Sequence, residues 1–450
     1  MGKTLKKVII WILAAAVVLS SSKMSVPADA AYKIPANMKW WSDGKFGMFI
    51  HFGAYSYYGQ GEWAMSEQNI SKNKYQTEIA AKFNPVSFDA EEIVSYAKKA
   101  GMKYVVITAK HHEGFSMWDT KVESFKDYTG KKTFSLPEYT KFGTTGRDIL
   151  KELRDACLKA GLKFGLYYSI VDWNHSSQSL GGTLSSTMRS MDARAQYIRD
   201  MKAQLEELVT LYHPSVMWFD GDWSYSKKKP TLESWWTKAD GQDLYRYMKK
   251  ISPDTIVNER VCRSFGLGDF ECPERSIPEG KDVPKRPWET CQSMNAAWGY
   301  KKDLEKSYMS TASVIRDLST VASRGGNYLL NIGPKGSGKM TAGSKKILDG
   351  VGKWMKKNSA SIYAVSASPF KKEPSWGTYT KKGKAVYAHV YRWPKKGKLT
   401  VRKYQKKKIK KITVLGRSKK LKCTVKGNTV TVKLPKKAPD RADTVLAIQY

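Results

Sequence analysis

The sequence predicts an α/β chain in which a (β/α)8-like TIM barrel is followed by a C-terminal all-β sandwich domain. Three observations predict it. Over residues 45–336 one unit recurs, a strand-like run, a polar loop and an amphipathic helix. The strand-like runs are continuously apolar rather than alternating, as in parallel strands covered on both faces. Beyond about residue 358 the pattern gives way to short β-type runs separated by Gly, Lys and Asn. Seven or so units in about 300 residues suit an eightfold barrel with one irregular or missing helix.

The elements follow in order. "KFGMFIHFG" is the first strand. In "DAEEIVSYAKKAG", Asp89 is the N-cap, Glu92 completes a capping box, and Ile93, Val94, Ala97 and Ala100 recur at helical spacing until Gly101 stops the helix. "MKYVVITAK" is the next strand. "RDILKELRDACLKAG" repeats the design before "LKFGLYYS", and the echo of "KKAGMKYVVIT" in "LKAGLKFGLYY" marks consecutive units of one array. "DARAQYIRDMKAQLEELVTLY" is a long helix and "SVMWFDG" a strand; "DGQDLYRYMKK" precedes "TIVNER". "WETCQSM" is strand-like, and the helix "STASVIRDLSTVASRGG" leads into "NYLLNIGP". The tail reads "AVYAHVYRW", "LTVRKY", "IKKITVLG", "KCTVKGNTVTVKLP" and "TVLAIQY", with a hairpin turn at "KGNTV".

With 41% apolar and 12% aromatic residues in 450, the chain is not of the disordered class. Its 15 Trp and 25 Tyr suit sugar-binding walls or plain core filling. Lys3, Lys6 and Lys7 precede an apolar run of about thirteen residues and the small-x-small site Ala28-Asp29-Ala30, the pattern of a secretory signal peptide. The expected division is a signal peptide over 1–30, a catalytic barrel over 31–358 and a lysine-rich β-sandwich over 359–450. The expected location is secreted or extracellular, with cell-surface association possible. No later segment is apolar enough to cross a bilayer. Five cysteines show no metal-type spacing, although Cys262 and Cys272 are close enough to bridge a loop. The net charge is +37, and about a third of residues 371–440 are Lys or Arg. This charge points to an anionic cell-wall polymer, acidic glycan or membrane surface rather than nucleic acid, weighed against a solvated lysine face with no partner.

A barrel requires its chemistry at the C-terminal ends of the strands. His51, the pair His111 and His112, Tyr167 and Tyr168, Asp220, Arg260 and Glu289 all fall there. Three histidines can bind a metal or hydrogen-bond ligand hydroxyls. The His-x-His pair that opens many metal-dependent barrel hydrolases is missing, so a neutral, hydroxyl-rich ligand fits better. Asp220 follows four apolar residues, which makes it a partly desolvated carboxylate at a barrel mouth. Such a carboxylate beneath a sugar ring can attack the anomeric carbon if a second carboxyl protonates the leaving oxygen. "GDFECPERSIPEG" offers Glu271, Glu274 and Glu279, and spacing does not choose among them. Asp222, on a glycine turn, is expected to be exposed.

Together the blocks "KFGMFIHFGAYS" with "GEWAMSEQNI", "KYVVITAKHHEGFSMWDTK", "GRDILKELRDACLKAGLKFGLYYS", "MWFDGDW", "NERV", "PWETCQSMNAAWGY" and "SRGGNYLLNIGP" resemble the alpha-L-fucosidases of glycoside hydrolase family 29. The resemblance implies a secreted, exo-acting, retaining fucosidase without metal or cofactor, acting on fucosylated glycans or oligosaccharides. It implies Asp220 as nucleophile, and His51, His111 and His112 as ligands of the fucose hydroxyls. Tyr168, Trp218, Arg260, Glu62 and Trp63 complete the sugar site. The family's Asp-Phe-x-x-x-Glu pattern implies Glu274 as acid/base, with Glu271 second, and Trp288, Glu289 and Trp298 as support or aglycone contacts. A metal-dependent barrel hydrolase and a non-catalytic fucose-binding, wall-associated protein are the rival readings. The lysine density of the tail is not a feature of the family.

Overall fold

Continuous apolar runs become parallel strands because both their faces are buried. In the computed structural model, which describes residues 33–180, 185–404 and 408–450, seven such strands form one sheet. Their order is Glu289–Ser293, Asn327–Ile332, Phe46–Ile50, Tyr104–Lys110, Lys163–Ser169, Val216–Asp220 and Ile256–Val257. The proposed signal peptide lies outside the described residues.

The segment 269–275 takes the eighth position. On one side Asp269 N–H donates to the Val257 carbonyl at 2.6 Å and Glu259 N–H to that of Phe270 at 2.9 Å. On the other, Glu271 N–H donates to Pro287 O at 2.9 Å and Arg275 N–H to Cys291 O at 3.0 Å. An irregular parallel stave therefore joins the two edges of the curled sheet.

Six helices of eleven or more residues follow the staves, Ala90–Ala100, Ile149–Ala160, Met191–Tyr212, Lys238–Ile251, Thr311–Ser323 and Ala342–Asn358. The crossovers after Ile256–Val257 and after 269–275 contain none, among the described residues. Asp89 caps its helix through Glu92 N–H at 2.8 Å, and Gly101 ends it in the left-handed region. The expected capping box does not form. The Glu92 carboxylate instead accepts from Lys345 on the neighbouring helix at 2.6 Å.

Side chains alternate between two apolar layers. The barrel interior holds Phe49, Tyr104, Val106, Tyr167, Val216, Trp218, Ile256, Phe270, Cys272 and Cys291. Met217, Phe219 and Tyr168 point outward into the layer beneath the helices. Inside the barrel Glu289 is buried among neutral donors only. It accepts from Trp41 Nε1 at 3.0 Å, from Trp218 Nε1 at 3.3 Å and from the Tyr104 hydroxyl. Burial lifts its carboxyl to about 7 against the pull of these donors.

The tail forms a four-stranded antiparallel sheet, Gly377–Lys382, Ala385–Val390, Thr444–Gln449 and Lys411–Val414. A three-stranded sheet, Lys398–Arg402, Thr429–Lys433 and Cys423–Lys426, shares its core, in which Val386, Ala388, Leu399, Val401, Val430 and Leu446 meet. Trp354 Nε1 donates to Asp443 O at 2.8 Å and Arg316 Nε to Ala442 O at 2.8 Å, tying this domain to the last two barrel helices. All five cysteines are free, so Cys262 and Cys272 do not bridge. Among the described residues no helix is long and apolar enough to cross a membrane.

Glu289 has a measurable consequence. Its ordinary value is 4.5 and its folded value about 7, so between these the unfolded chain loses its proton first. Native stability should therefore fall as pH rises through that window, by on the order of 3 kcal/mol in total. Urea unfolding at pH 5 and pH 7.5 should show this slope in the native chain and not in Glu289→Gln; an equal slope in both would remove the assignment.

Candidate active site

The interior-facing positions of the staves end at one mouth. Its wall is formed by Phe49, His51, Trp63, His111, His112, Tyr167, Trp218, Asp220, Trp223, Arg260, Arg263, Glu274, Cys291 and Trp298. Most of the residues read from the sequence meet here: His51, Trp63, His111, His112, Trp218, Asp220, Arg260 and Glu274.

Asp220 ends its strand facing inward because Val216 and Trp218 do, four and two residues earlier. Its Oδ1 accepts from Arg260 Nη1 at 2.9 Å and Arg263 Nη2 at 3.0 Å. Its Oδ2 accepts from the Tyr167 hydroxyl at 3.1 Å and lies 3.8 Å from His112 Nε2. Burial is the largest single influence and opposes its charge, but its neighbours together, Arg260 first among them, outweigh burial and hold the carboxyl well below the usual carboxylate range. Asp220 is therefore an anion at any physiological pH.

Arg260 joins both candidate carboxyls. Its Nη2 donates to Glu274 Oε2 at 2.8 Å, and its guanidinium lies 4.7 Å from the centre of the Trp218 ring. In the eighth stave Phe270 and Cys272 face the interior, and the alternation carries Glu274 to the mouth. Glu271 falls on the opposite parity, pairs through its backbone with Trp288 and does not line the wall.

The hydrogen-bond network assigns the histidines a common form. Asn331 Nδ2 donates to Trp298 O at 2.7 Å, so its Oδ1 accepts from His51 Nδ1 at 2.7 Å. Ser169 Oγ donates to Val171 O at 2.6 Å, so it accepts from His112 Nδ1 at 2.7 Å. Each ring is left with Nε2 as an acceptor. Burial first, then the neighbouring His111, pushes His51 down to about 3 and His112 well below its ordinary value, so both rings stay neutral. A neutral acceptor beside a carboxylate suits a sugar hydroxyl. His111 packs 3.9 Å from His112, ring centre to ring centre, and its Nδ1 lies 3.3 Å from Glu113 Oε2.

Three sequence expectations need correction. Tyr168 faces away from the mouth, and its hydroxyl donates to Gln204 at 2.7 Å. Tyr167 takes its place, since it pairs with Trp218 in the register and shares its inward parity. Glu62 is buried behind the wall rather than in it, with Oε2 accepting from Gly299 N–H at 2.8 Å. Asp222 is buried, not exposed. Gly221, in the left-handed region at φ +79°, folds the chain back so that Asp222 receives Arg263 Nε at 2.7 Å and Arg263 N–H. Arg263, Trp223 and Cys291 were not read from the sequence. Counting parity back from Asp220 finds Tyr167, whereas no local pattern finds Arg263.

The comparisons with known proteins agree with this geometry. Residues 12–360 match the family model described as alpha-L-fucosidase, and residues 371–449 match the alpha-L-fucosidase C-terminal domain. The tissue alpha-L-fucosidase of Bos taurus is 29% identical over 432 residues, 91% of this chain and 86% of that one. Alpha-L-fucosidase isoenzyme 1 from Paenibacillus thiaminolyticus superposes with a TM-score of 0.78 at 29% identity, covering 92% of this chain and 98% of the other. A family 29 alpha-L-fucosidase from Bacteroides thetaiotaomicron, solved as a trapped covalent intermediate with 2-fluoro-fucosyl fluoride, gives a TM-score of 0.80 at 27% identity, covering 93% and 96%. The chain belongs to the alpha-L-fucosidases of glycoside hydrolase family 29.

Proposed function

We propose that this fucosidase is secreted, removes terminal alpha-L-fucose from glycans or oligosaccharides, and retains configuration by double displacement. The observation that carries the reading is Asp220, an ionised carboxylate buried at the mouth and joined through Arg260 to Glu274. The trapped covalent intermediate of the Bacteroides enzyme supports the same course here. His51, His111 and His112 receive the sugar hydroxyls, and Trp63 and Trp218 lie among the cavity walls. Asp220 attacks the anomeric carbon while Glu274 protonates the departing oxygen; Glu274 then takes a proton from the water that cleaves the ester. When Glu274 carries its proton, Arg260 remains on Asp220, so the nucleophile stays charged during attack. A site closed below by Trp218 and Glu289 suits an exo-acting enzyme that takes one terminal residue. The basic run before the N-terminal apolar segment supports export, and sequencing the exported chain should place its first residue near Ala31. The lysine-rich tail supports retention on an anionic wall polymer or acidic glycan.

Labelling with a 2-fluorofucosyl fluoride should attach the sugar to Asp220, and proton NMR should show the α-anomer released first. Label on another residue, or first release of the β-anomer, would refute the mechanism. In Asp220→Gly kcat should fall by on the order of 10³ or more, with partial recovery in azide. Glu274→Ala should lose roughly 10²–10⁴ on natural linkages and far less on aryl fucosides, whose leaving groups need little protonation. The adjacent tyrosines should separate cleanly. Tyr167→Phe removes a donor from Asp220 and should lower kcat about tenfold or more, whereas Tyr168→Phe should leave kcat unchanged and cost about 1 kcal/mol of stability. Equal kinetic effects would contradict the inward parity of Tyr167.

A further inference from the structure

A second concave feature lies at the other pole of the barrel. The helices Ala90–Ala100 and Ala342–Asn358 end side by side, leaving a groove of about 490 Å³. Lys98, Lys99, Lys353 and Lys356 line it together with Asp349 and Tyr363. Lys103 lies over the Tyr363 ring at 4.3 Å, and Lys382, from the C-terminal domain, donates to the Tyr363 carbonyl at 3.0 Å. Among the described residues, Lys98, Lys353 and Lys356 form no ion pair.

Lysines in a last helical turn also serve the helix dipole, and the two helix ends offer them about half a negative charge each. With Asp349 included, that offsets roughly two of the four lining lysines before Lys103 and Lys382 are counted. A positive excess therefore remains at the groove. The adjoining domain carries 24 Lys and Arg against two acidic residues over 371–440, which extends the same sign of field.

We infer that this groove, continued by the lysine-rich domain, is an anchoring site for an acidic polysaccharide. The inference deepens the proposed anionic retention and rests on it. Three features favour a polysaccharide. The groove is concave, which suits a chain more than a flat bilayer; Tyr363, with Lys103 over its ring, places an aromatic edge and a cation side by side at the groove; and the enzyme's own chemistry is that of glycans. Position gives the site a role. Gly101 lies just before the Tyr104–Lys110 strand and His111 just after it, so the groove and the catalytic mouth are separated by a strand rise of about 20 Å. An enzyme anchored there keeps its mouth free.

The test compares the full-length chain with two variants of equal charge. One carries Lys98→Glu, Lys353→Glu and Lys356→Glu; the other carries Lys395→Glu, Lys396→Glu and Lys419→Glu on exposed positions of the C-terminal domain. The probes are polygalacturonate, dextran sulfate, neutral dextran, duplex DNA and anionic vesicles at about 0.15 M salt. The expected result is retention on at least one acidic polysaccharide, about 100-fold weaker in the groove variant and only a few-fold weaker in the other. kcat on an aryl fucoside should be unchanged in both. Equal weakening would replace the groove by diffuse charge, groove-dependent preference for DNA or vesicles would replace the partner, and no retention by the native chain would end the proposal. Failure of the fucosidase reading would appear separately, as no release of fucose by the native chain whatever it binds.

Discussion

The ion pair between Asp220 and Arg260 is the contact on which the site depends. A carboxylate buried at the end of an apolar strand costs several kcal/mol in lost hydration, and without a partner it would take up a proton. Arg260 prevents that at 2.9 Å, with Arg263 at 3.0 Å on the same oxygen. The guanidinium is itself held by the ring of Trp218, whose indole N–H is held by Glu289. A chain of packed and bonded groups thus runs from the barrel interior to the anomeric position. Among the described residues Arg260 alone touches both carboxyls, so the proposed nucleophile and acid share one positioning group.

The other polar groups at the mouth are arranged around this charge without adding to it. His51 and His112 each give their Nδ1 proton to a neighbour within the protein, to Asn331 and Ser169, and present a lone pair to the cavity. Protonated rings there would compete with the arginines for Asp220. Their neutrality follows from burial first and then from the neighbouring His111.

Most of the fold was legible because its signals are periodic. The helix from Asp89 to Gly101 and the strand after it carry their own cap, stop and apolar period, and the structure follows them. The positions of His51, His111, His112 and Asp220 were legible for the same reason, since barrel chemistry collects at strand ends. What was missed depends on a period of two or on distant chain. Tyr168 was read in place of Tyr167 because a one-residue shift reverses the face, and neither tyrosine differs from the other in composition. Arg263 reaches Asp220 and Asp222 across a turn that only the tertiary fold defines. Asp222 was expected in solvent because its glycine turn looks like a surface loop, whereas Arg263 draws it inside. Glu62 was carried over with its neighbour Trp63, and only packing against Gly299 separates the two.

Among the described residues the stave at 269–275 differs from the other seven in having no long helix in the crossover before it or after it. Asp220 ends a strand with a long helix before and after it, whereas Glu274 lies on a stave held by its strand neighbours and, through Asp269, by Tyr245 and Lys249 of the Lys238–Ile251 helix. Neither of its crossovers therefore carries a long helix whose apolar face must be seated on the sheet. The carboxyl proposed as proton donor thus stands on the stave with the least helical support, and the proposed nucleophile on one seated between two long helices.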